Sequence, residues 1–165
     1  MSKSRGSLKA FLGDPEVACQ FDNLCVRMLL GPHRLIPEND FIHERNGDAL
    51  LAEALQALNV FAFVDVVENP LLTLNLQNWL GQPFSYDVLD ETKPTPETVR
   101  SVLHKELTAE CFELLEQRTR LDTQLWFAIA RDRLPESKLM SIYARTLLFN
   151  AARGAALLAS PSRGT

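Results

Sequence analysis

The spacing of apolar residues predicts helices along most of the chain. Apolar side chains recur three and four residues apart, and most of these runs begin at a polar residue that can cap a helix. Asp14 and Asn69 are such residues, each followed by proline, while Gly31 and Gly81 come where helices should end. The helices are predicted at 14–31, 48–58, 69–81, 95–103, 108–115, 121–133 and 136–158.

One apolar run predicts a strand rather than a helix. The sequence NVFAFVDVVENP at residues 59–70 has almost no polar face, which predicts a buried strand of a parallel sheet at about 60–67, flanked by helices. A lone strand leaves its backbone N–H and C=O groups unpaired, and no second run of this kind is found. Either a partner subunit pairs with it, or the segment is a buried helix, or the chain is part of a larger α/β protein. The predicted fold class is a mostly α-helical α/β remnant.

Composition narrows the class of protein further. The chain has 165 residues, of which 46% are apolar, so we expect one domain at 7–159 between a disordered start at 1–6 and a frayed tail at 160–165. The net charge of −4 and the absence of a basic stripe argue against nucleic-acid binding. No signal peptide and no apolar run of about 18–20 residues is visible, so no membrane span is expected. Three cysteines without a CxxC motif indicate free thiols and a cytoplasmic location.

The predicted strand contains one acidic residue and is followed directly by a second. Asp65 and Glu68 would stand near its carboxyl end, where ligands bind in open α/β sheets, so both are candidates for a binding site. The alternative is that they orient the loop or cap the next helix. Phe84 and Tyr86 follow that helix and either cover a ligand or pack over helix ends.

The rest of the sequence contains few motifs of a catalytic or binding site. The glycines form neither GxxxxGK[ST] nor GxGxxG, and no serine lies in GxSxG. His33 and His43 share one polar loop, and a metal site there would also need acids of that loop, which are Glu38, Asp40 and Glu44. A solvated loop is the alternative, and no metal is expected.

Five segments together resemble the carbohydrate-type sulfotransferase family. SLKAFL at 7–12 and FDNLCVRMLLG at 21–31 are similar to the family's S-L-x-x-F-L and N-L-Q-T-R-x-L-x-G. FVDVVE at 63–68 resembles its strand F-V-G-L-T-E, and the helix that ends in WLG at 79–81 resembles E-S-L-x-L-L-x-x-x-L-G. LDTQLW at 121–126 resembles L-D-x-x-L-Y. The segments come in the family's order and span about 7–134.

The resemblance implies a P-loop-like α/β fold and sulfuryl transfer from 3′-phosphoadenosine 5′-phosphosulfate to a sugar or other hydroxyl. The family's phosphosulfate loop and catalytic base would precede Ser7, so we expect a carboxyl-terminal part that is incomplete or inactive. Matching positions make Asn23, Arg27 and Glu68 the candidates for binding this donor. Asp65 stands where the family has glycine, which argues against donor binding. Asp122 also matches a residue of the family's motifs. For Arg27 and Asp122, the alternative to donor binding is pairing between helices.

Three hypotheses therefore stay open. The first is a sulfotransferase-family chain without catalysis of its own, with a missing amino-terminal half or a carbohydrate acceptor as its partner. The second is a non-enzymatic helical interaction module that a partner or a second copy completes along the edge at 60–67. The third is a metal-dependent enzyme that uses the loop from His33 to Glu44.

Overall fold

The computed structural model describes residues 7–83 and 106–142, and this part of the chain is mostly helical. Six α-helices have defined bounds: α1 Leu8–Leu12, α2 Leu24–Leu30, α3 Gly47–Leu58, α4 Leu72–Leu80, α5 Ala109–Arg118 and α6 Arg120–Arg133. Two 3₁₀ helices, Pro15–Gln20 and Glu44–Asn46, precede α2 and α3. A seventh helix, α7, begins at 136 and is described to 142.

Two apolar clusters hold these helices together. The larger cluster joins α2, α3 and α6, and its fully buried members are Val26, Leu50, Ala54 and Leu121. The smaller one packs Val66 against the end of α6 and the start of α7, through Ala130, Leu134 and Leu139. Burial of these side chains is the main stabilising term for such short helices, which are marginal on their own.

Several predicted helices are confirmed with the expected ends. Thr108 accepts a hydrogen bond from the Cys111 amide and so caps α5, as its position in the sequence predicts. Gly81 ends α4 with a φ of 68°, in the left-handed region that glycine adopts without a steric cost. The helix predicted at 95–103 and the residues Phe84 and Tyr86 lie outside the described residues, as do the predicted disordered start, the frayed tail and the end of the helix predicted at 136–158.

The helix predicted at 14–31 is two helices. Asp14 caps the 3₁₀ helix as expected, but the backbone then breaks, and Asn23 takes a left-handed φ of 47° before α2 begins. The Asn23 amide donates to the carbonyl of Arg118 at 2.6 Å, so a residue distant in sequence takes the hydrogen bond that a continuous helix would use. Met28 of α2 is 76% exposed, while Val26 and Arg27 are buried.

The strand predicted at 60–67 is not found, and the described residues contain no strand. Residues 59–60 and 67–68 form turns, residue 62 is a bend, and 63–66 have no regular structure. Only Val66 is buried, whereas Val60 is 83% exposed and Phe61 is 52% exposed. The prediction took β-branched and aromatic composition as evidence of burial, but a strand also needs a neighbour for its backbone, and the described residues provide none.

No helix within the described ranges combines the length and the apolar character that crossing a membrane requires.

Candidate functional site

A buried ion pair fills the space between α2 and the loop that follows it. The guanidinium of Arg27 contacts the Asp22 carboxylate at 2.8 Å, and these side chains are only 8% and 1% exposed. Arg27 also donates to the carbonyl oxygens of Asp22, Pro37 and Asp40, at 2.7, 2.7 and 2.8 Å. Four of its five N–H groups are therefore used within the protein. The Asp22 carboxylate in turn accepts from the Ile42 amide at 2.8 Å, so the pair ties α2 to residues 37–42.

Next to this pair, α2 and α6 cap each other. The Asp122 carboxylate accepts from the amides of Cys25 and Val26, both at 3.0 Å, at the N-terminus of α2. The side-chain oxygen of Asn23 accepts from the Leu121 amide at 2.7 Å, at the start of α6. Each helix thus receives a side-chain acceptor for N-terminal amides that lack a partner within the helix. We call Asp22, Asn23, Arg27 and Asp122 the polar junction.

The polar junction contains two of the three donor-binding candidates, Asn23 and Arg27, and all their contacts described above are within the protein. The third candidate, Glu68, accepts from the indole N–H of Trp126 at 3.1 Å, and its backbone carbonyl accepts from Lys138. In the described residues Glu68 shares no hydrogen-bond partner with Asn23 or Arg27. The described hydrogen bonds thus hold Asn23 and Arg27 in the polar junction and connect Glu68 to Trp126 and Lys138 instead.

Asp65 holds the turn that precedes α4. Its carboxylate accepts from the Val66 amide at 2.8 Å and from the side-chain amides of Asn69 and Asn75, at 2.9 and 3.2 Å. Asn69 also accepts from the Leu71 amide at 3.0 Å, in the turn at the start of the helix. These neutral donors satisfy the acid without a cation, which accounts for an acidic residue inside an apolar run.

The loop proposed for metal binding does not gather its ligands. His33 pairs with Glu53 of α3, with 2.9 Å between Nε2 and Oε2, and its Nδ1 accepts from the Leu35 amide at 3.2 Å. Within 7–83 and 106–142, no group of three or more His, Cys, Asp or Glu side chains is arranged to hold a metal ion. We therefore propose no metal site at His33, His43 and the three acids of the loop.

Arg118 is a residue that the sequence analysis missed. Its guanidinium lies over the Phe41 ring, 3.3 Å from the ring centroid, and its buried Nε has no hydrogen-bond partner. Burial lowers the pKa of this guanidinium, and the nearby Asp22 and Asp40 act in the opposite direction. A cation–π contact between residues 77 positions apart leaves no local signal in the sequence. Arg118 thus borders the polar junction, near Asp22.

The second unusual feature is a set of exposed apolar side chains that follow one another along the chain. We call these residues the apolar surface: Val60, Phe61, Val67, Leu71, Leu74, Trp79 and Leu80, whose exposed fractions run from 38% to 83%. The Phe63 and Trp79 rings are 5.6 Å apart, so α4 and the segment before it meet here. Exposed apolar side chains that form a contiguous patch are typical of interaction sites, whereas single ones are common on any surface.

Helix α4 and the residue that precedes it supply four of the seven residues of the apolar surface, Leu71, Leu74, Trp79 and Leu80. None of the residues of α4 is buried, and the helix pairs that pack most closely in the described part of the chain do not include it. Leu71, Leu74 and Asn78 are exposed at spacings of three and four, so they lie on one side of the helix. On the remaining sides of the helix Leu72 and Leu76 are half-buried, and Trp79 and Leu80 are exposed.

Comparison of the chain with protein-family models, with curated proteins and with solved structures finds no match.

Proposed function

We propose that this chain is a non-enzymatic helical interaction module that docks on a protein partner through the apolar surface. The observation that carries the proposal is α4, a helix of nine residues without a single buried side chain. Isolated helices shorter than about 12–15 residues are marginal in water, so a helix of this length gains its stability from packing. A protein partner that covers Leu71, Leu74 and Trp79 would supply that packing.

The partner that fits this surface is an uncharged apolar element. Residues 69–83 contain no Asp, Glu, Lys, Arg or His. The two acids of the preceding segment are already bonded to neutral donors, Asp65 to Asn69 and Asn75 and Glu68 to the indole N–H of Trp126. Recognition would therefore rest on apolar area, with the amide of Asn78 as the polar group on the exposed side of α4.

Selection of displayed random peptides on the immobilised chain tests the proposal. We expect enriched peptides to be apolar, to bind the wild-type chain, and to lose binding to Leu74→Lys, which places a charge at the middle of the exposed side. Met28→Lys is the matched control, because it makes the same change at a residue that is 76% exposed elsewhere. Peptides that bind Leu74→Lys as well as they bind the wild type would refute docking through α4.

The second candidate function is membership of the sulfotransferase family, in which this chain would supply the helices that support a donor site. The polar junction favours this candidate, because motif residues that are about 100 positions apart, Asn23 and Asp122, belong to one local structure. Sulfuryl transfer itself needs preorganised cations and amides around the transferred group, and Arg27 is already bonded within the protein.

Isothermal titration with 3′-phosphoadenosine 5′-phosphosulfate separates the two candidates. The interaction module predicts no binding heat in the micromolar range, with wild-type and Arg27 variants alike. Saturable binding that disappears in a folded Arg27 variant would favour a donor site, and transfer to a carbohydrate acceptor would establish an enzyme.

A further inference from the structure

We infer that the chain has a second binding site, a cavity beside α2 that takes a neutral small molecule with an apolar body and one hydrogen-bond acceptor. The cavity has a volume of about 540 Å³ and lies between α2 and the loop at 31–38. Volumes of about 300–1,000 Å³ are typical of sites for small ligands. The cavity shares no lining residue with the apolar surface, so the inference is independent of the proposed protein partner.

Hydrogen bonds within the protein hold the loop wall of the cavity in place. Arg27 donates from Nη1 to the carbonyl of Pro37 at 2.7 Å, and the Ile36 amide donates to the carbonyl of His33 at 3.0 Å. The His33 ring is in turn paired with Glu53 of α3. Because this wall is ordered before a ligand arrives, binding loses little conformational entropy, and a small molecule with few contacts can be held.

The lining of the cavity is mainly apolar. Leu24 and Met28 lie one turn apart on α2 and are 39% and 76% exposed, and Ile36 and Pro37 line the cavity from the loop. A ligand that fills the cavity would remove apolar area of these four side chains from water. This burial is the main source of affinity in sites of this kind.

Arg27 supplies the polar group of the site. Four of its five N–H groups donate to protein oxygens, and the fifth, on Nη1, has no partner in the described residues. The side chain lines the cavity although it is only 8% exposed, so little water reaches this N–H. An unpaired donor on a buried cation is costly, and a ligand oxygen that accepts from it would remove that cost.

The charges at the cavity favour a neutral ligand over an ion. Arg34 and Glu38 are both exposed at the lining and have opposite charges. The Asp22 carboxylate balances the guanidinium of Arg27 at 2.8 Å. The cavity therefore has little net charge with which to attract an anion or a cation.

Titration of the full chain with acetophenone, an aromatic ring with a single carbonyl acceptor, tests the inference. In NMR spectra we expect the amides of α2 and of Ile36 and the Nε–H of Arg27 to shift together, with a dissociation constant of about 1 mM. Ethylbenzene, which lacks the acceptor, should bind about tenfold more weakly. Benzoate, which is an anion, should also bind more weakly than acetophenone. Equal affinity for ethylbenzene would overturn the role of Arg27, and tighter binding of benzoate would overturn the neutral class of ligand.

The thiols of the chain provide a second readout. Cys19 lines the cavity and is exposed, whereas Cys25 is exposed but is not part of the lining. Acetophenone at about ten times its dissociation constant should slow the alkylation of Cys19 by iodoacetamide by up to about tenfold, because it lowers the fraction of empty sites by that factor. Alkylation of Cys25 should be unchanged. Equal protection of both thiols, or protection of neither, would overturn the location of the site.

Two lysine variants separate this inference from the proposed function. Met28→Lys places an ammonium group in the apolar wall, so it should weaken acetophenone binding by about tenfold and leave the displayed peptides bound. Leu74→Lys should do the reverse. Met28 is 76% exposed, and far-UV circular dichroism verifies that the variant stays helical. Acetophenone binding that is equally strong in Met28→Lys and the wild type would overturn the inference alone, whereas peptides that bind Leu74→Lys as well as the wild type would refute only the proposed function.

Discussion

Replacement of Arg27 by methionine should destabilise the protein strongly. The substitution keeps an aliphatic side chain but leaves Asp22, which is 1% exposed, as a buried charge without its cation. Only the Ile42 amide and the weak contact with Asn23 would still donate to that carboxylate. Removal of one member of a buried ion pair costs about 3–5 kcal/mol. The free energy of unfolding, from urea titration followed by far-UV circular dichroism, should fall by about that amount.

Two further variants isolate the cause. Arg131→Met is the matched control, because the Arg131–Asp132 pair is 72% and 73% exposed and should contribute less than about 0.5 kcal/mol. Asp22→Asn added to Arg27→Met removes the buried charge and keeps an acceptor for Ile42, so we expect it to recover about 1–3 kcal/mol. An Arg27→Met protein that is as stable as Arg131→Met would refute a structural role and return Arg27 to the donor-binding candidates.

Three smaller predictions concern single positions. Gly31→Ala should cost about 1–3 kcal/mol in thermal unfolding, because an added Cβ would lie 2.7 Å from the backbone oxygen of Arg27. Burial, and then the charge of Asp122, raises the pKa of the Cys25 thiol, so Asp122→Asn should lower that pKa and shift the pH profile of Cys25 alkylation to lower pH. Gly81→Ala should cost about 1–2 kcal/mol, because alanine is strained at a φ of 68°.

Each of these predictions has its own control. Gly13→Ala should be milder than Gly31→Ala, because its closest contact would be 3.3 Å. Asp132→Asn removes an exposed acid and should leave the alkylation profile of Cys25 where it is; an equal shift in both variants would contradict the assignment to Asp122. Gly81→Asn should be better tolerated than Gly81→Ala, since asparagine enters the left-handed region more readily.

The parts of the fold that depend on local signals could be predicted from the sequence. Helix α5 begins after Thr108 and α4 ends at Gly81, because a cap needs only side chains and backbone within one turn. The break at Asn23 could not be predicted, since its backbone N–H is held by Arg118, 95 residues later. The stacking of Arg118 on Phe41 is non-local in the same way.

The site was harder to predict than the helices. The resemblance pointed to Asn23 and Arg27, and the structure places both in the polar junction, yet it shows them bonded to protein groups that no short motif reveals. The apolar run at 59–70 predicts a buried strand, because burial in a core and exposure at a docking surface favour the same side chains. Only the exposed fractions of Val60, Phe61 and Val67 distinguish the two cases.

Hydrogen exchange of the full chain tests the central claim most directly, because it reads α4 and the polar junction in the same sample. The account predicts that exchange of the α4 amides slows when a displayed apolar peptide that binds the chain is added, as the apolar surface becomes covered, while the donor nucleotide leaves the amides of α2 unchanged. The contrary result would be α4 amides that exchange equally fast with and without the bound peptide, together with slower exchange around Asn23 and Arg27 when 3′-phosphoadenosine 5′-phosphosulfate is added.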